Sequence, residues 1–485
     1  MLALGTIRTW GPAICVRQSR SEEQNQSAVL KDFHRRRQAG LYTLAPTIPA
    51  YNMPQETMQQ EKLEPNTRIR RRQAISLILL LICGTINYLD RGSLSVANPL
   101  IRHDLGISLS EMGWLLSAFG WSYALMQLPI GAVVDRVGPR ITLGIGLIFW
   151  SLAQGIGGLC TNFFQFVWAR IFLGVGEAPH YPTSARVVTN WFAPRDRGVP
   201  VGLFNAASPL GTALAPPLLT FLMLTFNWRW MFVAMGVVGL IAAAVWILVY
   251  RDPDTAGLSP EHQAYLAEGR TDKGPPTAVQ KMTLAEWGGL FAHRTTLSMI
   301  LGFFGSGYLT WVFITWLPGY LEIERHMTTI TTGVAAGIPF ACGFVGSLVA
   351  GWLSDFLIRT GMSPIKSRKL PIVFGMVGMS LFTVPAALAQ SNVVALACIS
   401  MVVFLGFGAS ACSWALATAA APSNRVASLG AVQNFGGYLG GALAPILTGS
   451  LAQTTHSFVP ALLIGAVIAF VSAMIYLFGV RDPIS

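Results

Sequence analysis

Residues 73–101 read QAISLILLLICGTINYLDRGSLSVANPLI, an apolar run long enough to cross a bilayer, with Asp90 and Arg91 side by side inside it. A charge at bilayer depth costs roughly 2.5–3.5 kcal/mol even on the lenient insertion scale, so such residues face a protein interior or a water-filled path. A helix serving only as an anchor has no use for two of them. The segment reads as part of a pathway along which something polar moves.

The rest of the chain agrees. Apolar residues make up 53% of the 485 and charged residues 11%, against about 25% charged in soluble domains; mean hydropathy is +0.52. The lipid bilayer is therefore the expected solvent for nearly all of it. The net charge of +11 does not mark a nucleic-acid surface: residues 1–72 contribute +6 of it, and the rest follows the loops on one membrane side. Cysteines 15, 83, 160, 342, 398 and 412 are scattered with no CxxC pair, so they read as small apolar residues with no disulfide frame and no metal site.

Twelve spans are expected, at about 73–101, 110–133, 141–160, 163–190, 198–223, 229–250, 294–321, 330–358, 370–389, 392–417, 425–451 and 458–480. Arg68, Arg70, Arg71 and Arg72 precede the first. Arg136, Arg140, Arg195, Arg197, Arg251, Arg270, Arg359, Lys366, Arg368 and Lys369 fall in loops on the same side, which places both termini in the cytoplasm. Residues 1–72 form a polar, mixed-charge tail expected to be disordered, and Met53 reads as an alternative start. A 42-residue cytoplasmic loop, 252–293, holds a short amphipathic helix near Leu284–Phe291 and separates two six-span bundles, 73–251 and 294–485.

The halves repeat. Gly131-x-x-x-Asp135 returns as Gly351-x-x-x-Asp355, Gly211-Thr-Ala-Leu-Ala-Pro216 as Gly440-Gly-Ala-Leu-Ala-Pro445, and Arg251-Asp-Pro253 as Arg481-Asp-Pro483. The offsets are 220, 229 and 230 residues. Three matches in register mean duplication, and parallel six-span repeats place a binding site at their interface near the bilayer midplane.

Gly131-Ala-Val-Val-Asp135-Arg136-Val-Gly138-Pro139-Arg140 resembles the loop signature between spans 2 and 3 of the major facilitator superfamily. In that reading Gly131 lets helices approach closely, Asp135 pairs with a neighbouring helix end, and Arg136 and Arg140 help close the cytoplasmic gate, to which Asp355, the mate of Asp135, also belongs; Pro139 replaces a usual basic residue. Asn87-Tyr-Leu-Asp-Arg-Gly-Ser-Leu-Ser-Val-Ala97, Gly174-Val-Gly-Glu-Ala-Pro-His-Tyr-Pro182 and Trp228-Arg-Trp-Met-Phe232 resemble the anion:cation symporter branch, which holds sugar-acid permeases and sialin. The resemblance covers about residues 70–483. It implies an all-α fold of twelve transmembrane helices, and proton-coupled import of a small organic anion across the inner membrane. No cofactor is implied beyond the proton gradient, and the expected functional unit is a monomer.

The residues themselves point the same way. Arg170 and Glu177 are two helical turns apart and share a face of span 4, as Tyr88 and Arg91 share a face of span 1 with Asp90 turned about 100° away. Guanidinium forks match carboxylates, so Arg91 and Arg170 are read as substrate-binding and Asp90 and Glu177 as proton-coupling. The competing reading is a structural network that only ties helices together. Tyr88, Tyr123, Ser208, Tyr308, Trp311, Ser410, Ser413 and Asn434 are the neutral candidates for substrate contact, though intramembrane hydroxyls and amides also simply join helices. His180 reads as packed.

Three departures from the sugar-acid permeases bear on the substrate. Ala206-Ala-Ser208 stands where a glutamine is usual, no acid follows Trp414, and Tyr438 occupies a common asparagine position. A smaller, less hydroxylated or aromatic acid is the alternative cargo, and a uniporter or exporter the alternative mode. No HExxH, GxSxG or GxxxxGK[ST] motif occurs to support an enzyme.

Overall fold

The computed structural model describes residues 67–193, 196–253, 265, 289, 291–420 and 426–481. The tail with Met53, Arg195, Arg270 and most of the central loop with its expected helix lie outside the described residues. Within them the chain is helical and holds no strand.

The first half comprises α1 (Thr67–Val96), α2 (Asn98–Leu105), α3 (Leu109–Val137), α4 (Pro139–Gly157), α5 (Phe163–Glu177), α6 (His180–Trp191) and α7 (Gly198–Val249). The second comprises α8 (Arg294–Ile323), α9 (Thr329–Arg359), α10 (Pro364–Leu388), α11 (Asn392–Ala420), α12 (Val426–Thr455) and α13 (Val459–Gly479). The helix α7 is two passes in one run, reversed at Asn227, whose φ of 72° breaks the helix. Twelve crossings result, six per half. Helix α1 starts at Thr67, so the arginines at 68 and 70–72 stand on its first turns and not in the tail.

Two expected spans are broken. The first stops at Val96 and resumes as α2, with Pro99 at the start of the new helix. The fourth divides at Ala178-Pro179. Proline lacks the N–H that a continuous helix needs, so each break falls at the proline. Elsewhere the ends are conventional: Ser108 and Glu111 form a capping box at the start of α3. Gly138, at φ 87°, makes the turn into Pro139 and α4, a backbone conformation that suits glycine alone among common residues.

Small residues bring the helices together, as expected where lipid removes any hydrophobic drive between them. An added Cβ at Gly211 would lie 2.6 Å from the Tyr88 Cβ, and one at Gly92 2.7 Å from the Ala215 Cβ, so α1 and α7 pack almost backbone to backbone. Between the halves, α3 packs on α12, α7 on α9 and α1 on α8. These seams lie toward the face opposite the basic loops. There Ser110 meets Ser450 at 3.2 Å, the Leu109 amide donates to Gln453 at 3.0 Å, and an added Cβ at Gly113 would lie 2.6 Å from the Pro445 carbonyl.

The basic-loop face differs. The close approach expected at Gly131 is not present: an added Cβ there would meet nothing within 4 Å among the described residues, and the same holds at Gly351, Gly198 and Gly202. The halves therefore close on each other opposite the basic loops, whereas these four glycines near the loop face have open space beside them among the described residues. Asp135 does pair with a neighbouring helix, reaching Arg186 of α6 at 3.5 Å. Arg140 donates to the Ile247 carbonyl near the C-terminus of α7, a favourable place for a cation. Both contacts lie within the first half. Arg136 and Asp355 are exposed.

Candidate functional site

Two glycines on α5 set the height of the site. A Cβ at Gly174 would lie 2.6 Å from the Phe119 carbonyl of α3, and one at Gly176 2.7 Å from the Trp150 amide of α4. Pressed between those helices, α5 delivers Arg170 and its last residue, Glu177, to the centre of the first half. There the Arg91 Nε donates to Glu177 Oε2 at 2.8 Å, with both side chains out of contact with solvent.

The guanidinium of Arg91 is boxed by rings. Its centre lies 4.7 Å from the ring of Tyr88 and 4.8 Å from those of Phe119 and Tyr123, distances at which a desolvated cation is attracted to the ring face. The second half completes the box. Tyr438 of α12 approaches Tyr123 at 4.8 Å, and Trp311 of α8 lies 6.1 Å from Tyr438 and 6.4 Å from Phe119. On the far side of Tyr88, its hydroxyl meets that of Tyr181 at 3.1 Å.

Much of the polar interior is unsatisfied. The two terminal nitrogens of Arg91, the Nε and one terminal nitrogen of Arg170, both Asp90 oxygens and Glu177 Oε1 are buried without a hydrogen-bond partner. Asn87 and the His180 Nδ1 share that condition. Buried polar groups are normally paired, so such a concentration marks a site that water or a ligand completes. Arg170 lies 5.5 Å from the Phe119 ring and sits close to Asp90 and Glu177. Formally the two arginines and two acids cancel.

A cavity of about 20 Å³, room for one water, lies beside Arg91 toward the closed seam and is lined by Ser95, Thr212 and Phe340 among others. Arg91 borders it and Arg170 does not.

The structure gathers Tyr88, Asp90, Arg91, Tyr123, Arg170, Glu177 and Trp311 in one region. Ser208 is half-buried on α7, one turn before Thr212, which does line the cavity. Asn434 is half-buried one turn before Tyr438, and Ser410 is half-buried on α11. Tyr308 and Ser413 turn into the core of the second half instead. Tyr308 packs 6.3 Å from Phe304, and Ser413 bonds to its own helix beside Tyr476. His180 is packed edge-on to Trp150 and Tyr181. Phe119, Asn87 and Tyr181 were not singled out from sequence, although Phe119 stands four residues before Tyr123, the spacing that shares a helix face.

A fold of twelve crossings in two duplicated bundles, with a charged, unsatisfied pocket against their interface, defines a secondary transporter. The family is explicit: residues 80–445 match the model of the Major Facilitator Superfamily, and the chain belongs to it. It is thus a multi-pass membrane transporter and not an enzyme. The chain is 43% identical over 424 residues to the "Probable L-galactonate transporter" of Escherichia coli K12, covering 87% of this chain and 92% of that one. It is 33% identical over 441 residues to the "Probable galactarate/D-glucarate transporter GarP" of the same strain, covering 88% of this chain and 98% of that one. The crystal structure of a bacterial homologue of the lysosomal transporter Spinster shares the fold at 18% identity, with a TM-score of 0.69 over 86% of this chain.

Proposed function

We propose that the protein imports a sugar acid together with protons across the bacterial inner membrane by alternating access, with both termini in the cytoplasm. The observation that carries this reading is the Arg91–Glu177 pair, 2.8 Å apart and buried, in which the arginine keeps two terminal nitrogens without partners. Those nitrogens form the planar fork that a carboxylate accepts from bidentately. Glu177 holds the third nitrogen, so the cation is shared between the protein's own acid and an arriving one. Protonating Glu177 removes the competing charge and leaves Arg91 to the substrate; deprotonating it takes Arg91 back and favours release. Asp90, beside Arg91 in sequence and close to Arg170 in space, is the second proton carrier on the same logic.

The seam opposite the basic loops belongs to one of two states that the carrier alternates between. The polyol part of the cargo meets Tyr88, Tyr123, Asn434 and Tyr438. The names of the relatives support a sugar acid over an aromatic one. The test is uptake by the purified protein in proteoliposomes, using labelled aldonates, aldarates, hexuronates and aromatic acids, each with and without an inward proton gradient. Gradient-dependent uptake of a sugar acid is the expected result. Uptake of aromatic acids alone, or uptake indifferent to the gradient, would overturn the reading.

A further inference from the structure

The duplication makes the two walls of the site comparable position by position. In the first half Gly211 closes on the Thr85–Tyr88 turn, and in the second half Gly440 closes on the turn from the Phe304 carbonyl to the Tyr308 amide. At the 220-residue offset that relates Gly131 to Gly351, Tyr88 corresponds to Tyr308, and the glycine contact falls on the turn that ends at each. Three residues further on, the first half carries Arg91 and the second carries Trp311. The neighbouring position has changed in step. Thr212 stands beside Arg91 at the cavity, whereas its counterpart is Gly441, where an added Cβ would lie 2.6 Å from the Trp311 ring. The indole fits because the helix facing it has no side chain there.

The second half therefore offers a flat, uncharged wall. Its six helices carry Lys and Arg only within two turns of their ends and no histidine. What faces Arg91 across the interface is Trp311 and Tyr438, with Asn434 one turn away. Of the two buried arginines, Arg91 is enclosed by the ring box that both halves build, while Arg170 meets only its Phe119 ring, at 5.5 Å, and stays close to Asp90 and Glu177 in the first half.

We propose that the site takes an anion with a single carboxylate, held at Arg91, and selects against dicarboxylates because the Trp311–Tyr438 wall has no cation for a second one. This rests on the sugar-acid reading above and narrows it. The neutral end of the cargo lies along the aromatic wall, where a terminal CH₂OH is accommodated and a terminal carboxylate is stranded. Burying a second carboxylate with no charged partner costs its lost hydration, so an aldarate should bind at least ~10-fold more weakly than the aldonate of the same chain.

The experiment is calorimetric titration of the full-length purified protein with matched pairs, galactonate against galactarate and gluconate against glucarate, which differ only in the oxidation state of the terminal carbon. The expected result is an aldonate preference of ~10-fold or more within a pair. Tyr438→Arg, with Trp311→Arg as a second variant should the first fail to fold, should shrink or reverse that ratio by supplying a cation. Equal or tighter aldarate binding by the unmodified protein overturns the single-carboxylate site while leaving the sugar-acid reading intact. An unchanged ratio in a folded arginine variant overturns the role of the wall. No binding by any member of the pairs overturns this inference, while the sugar-acid reading then stands or falls on the hexuronates of the uptake panel.

Discussion

Replacing Arg91 by methionine should destabilise the protein far more than an ordinary surface change, and replacing Glu177 by leucine in the same chain should restore it. The pair sits at 2.8 Å with side chains 2% and 0% exposed. Removing one member of such a pair costs about 3–5 kcal/mol because the other is left as an uncompensated buried charge, while replacing both by apolar groups is often neutral or stabilising. Here the single change should fall toward the lower end, since Arg170 remains close to Glu177. A methionine also keeps favourable contact with the ring box of Tyr88, Phe119 and Tyr123. The assay is thermal unfolding of the detergent-purified single and double variants, alongside substrate binding. Stability should drop in Arg91→Met and return to within about 1 kcal/mol of the parent in the double variant, with binding lost in both. Single variants as stable as the parent, with no coupling between them, would refute the buried pair.

Three further outcomes are expected. Gly113→Ala places a methyl 2.6 Å from the Pro445 carbonyl, so it should loosen the closed seam; a cysteine at Ser110 in that variant should react faster with a water-soluble thiol reagent than in the parent, and equal rates would contradict the seam. Asp104 accepts from the Trp228 indole at 2.8 Å, and that hydrogen bond holds its carboxyl below the usual value. The contribution is present above the ordinary aspartate range and lost only as pH falls through the lowered value, so an indole fluorescence change assigned through Asp104→Asn should appear in acid and be absent between pH 5 and 8. Single cysteines placed in residues 252–293 should resist an impermeant reagent in intact cells, and ready labelling would reverse the orientation.

The duplication, the crossings and the charged core were legible because each leaves a strong mark in an apolar chain: a repeated glycine pattern, a run of about twenty apolar residues, an isolated arginine. The aromatic box was only partly legible. Phe119 lies in an apolar helix where a ring facing lipid and a ring facing a cation look alike in sequence. Tyr308 and Trp311 are three apart and share a helix face, yet one packs into the second bundle and the other reaches Phe119 across the interface. That division depends on Gly440, which lets α12 approach the backbone at Phe304 and Tyr308, and on Gly441, which leaves room for the Trp311 ring; no periodicity reveals either. Gly131 shows a different limit. A carrier's sequence serves every state it visits, while the structure displays one, and in it an added Cβ at this position meets nothing within 4 Å among the described residues. The arginines at 91 and 170 looked equivalent in sequence because both are buried and helical; only the placement of α5 behind Phe119 separates them.

The central claim is that Glu177 couples protons to cargo by competing for Arg91. Its most direct test is uptake of a binding sugar acid by Glu177→Gln in proteoliposomes, compared with counterflow exchange in the same vesicles. Across a gradient of one pH unit, each coupled proton supplies about 1.4 kcal/mol, a tenfold accumulation. The account predicts that Glu177→Gln, fixed in the neutral form, retains exchange but loses the part of accumulation that the gradient drives. Accumulation by Glu177→Gln at the parent's level under the same gradient would contradict it and leave the pair a purely structural tie between α1 and α5.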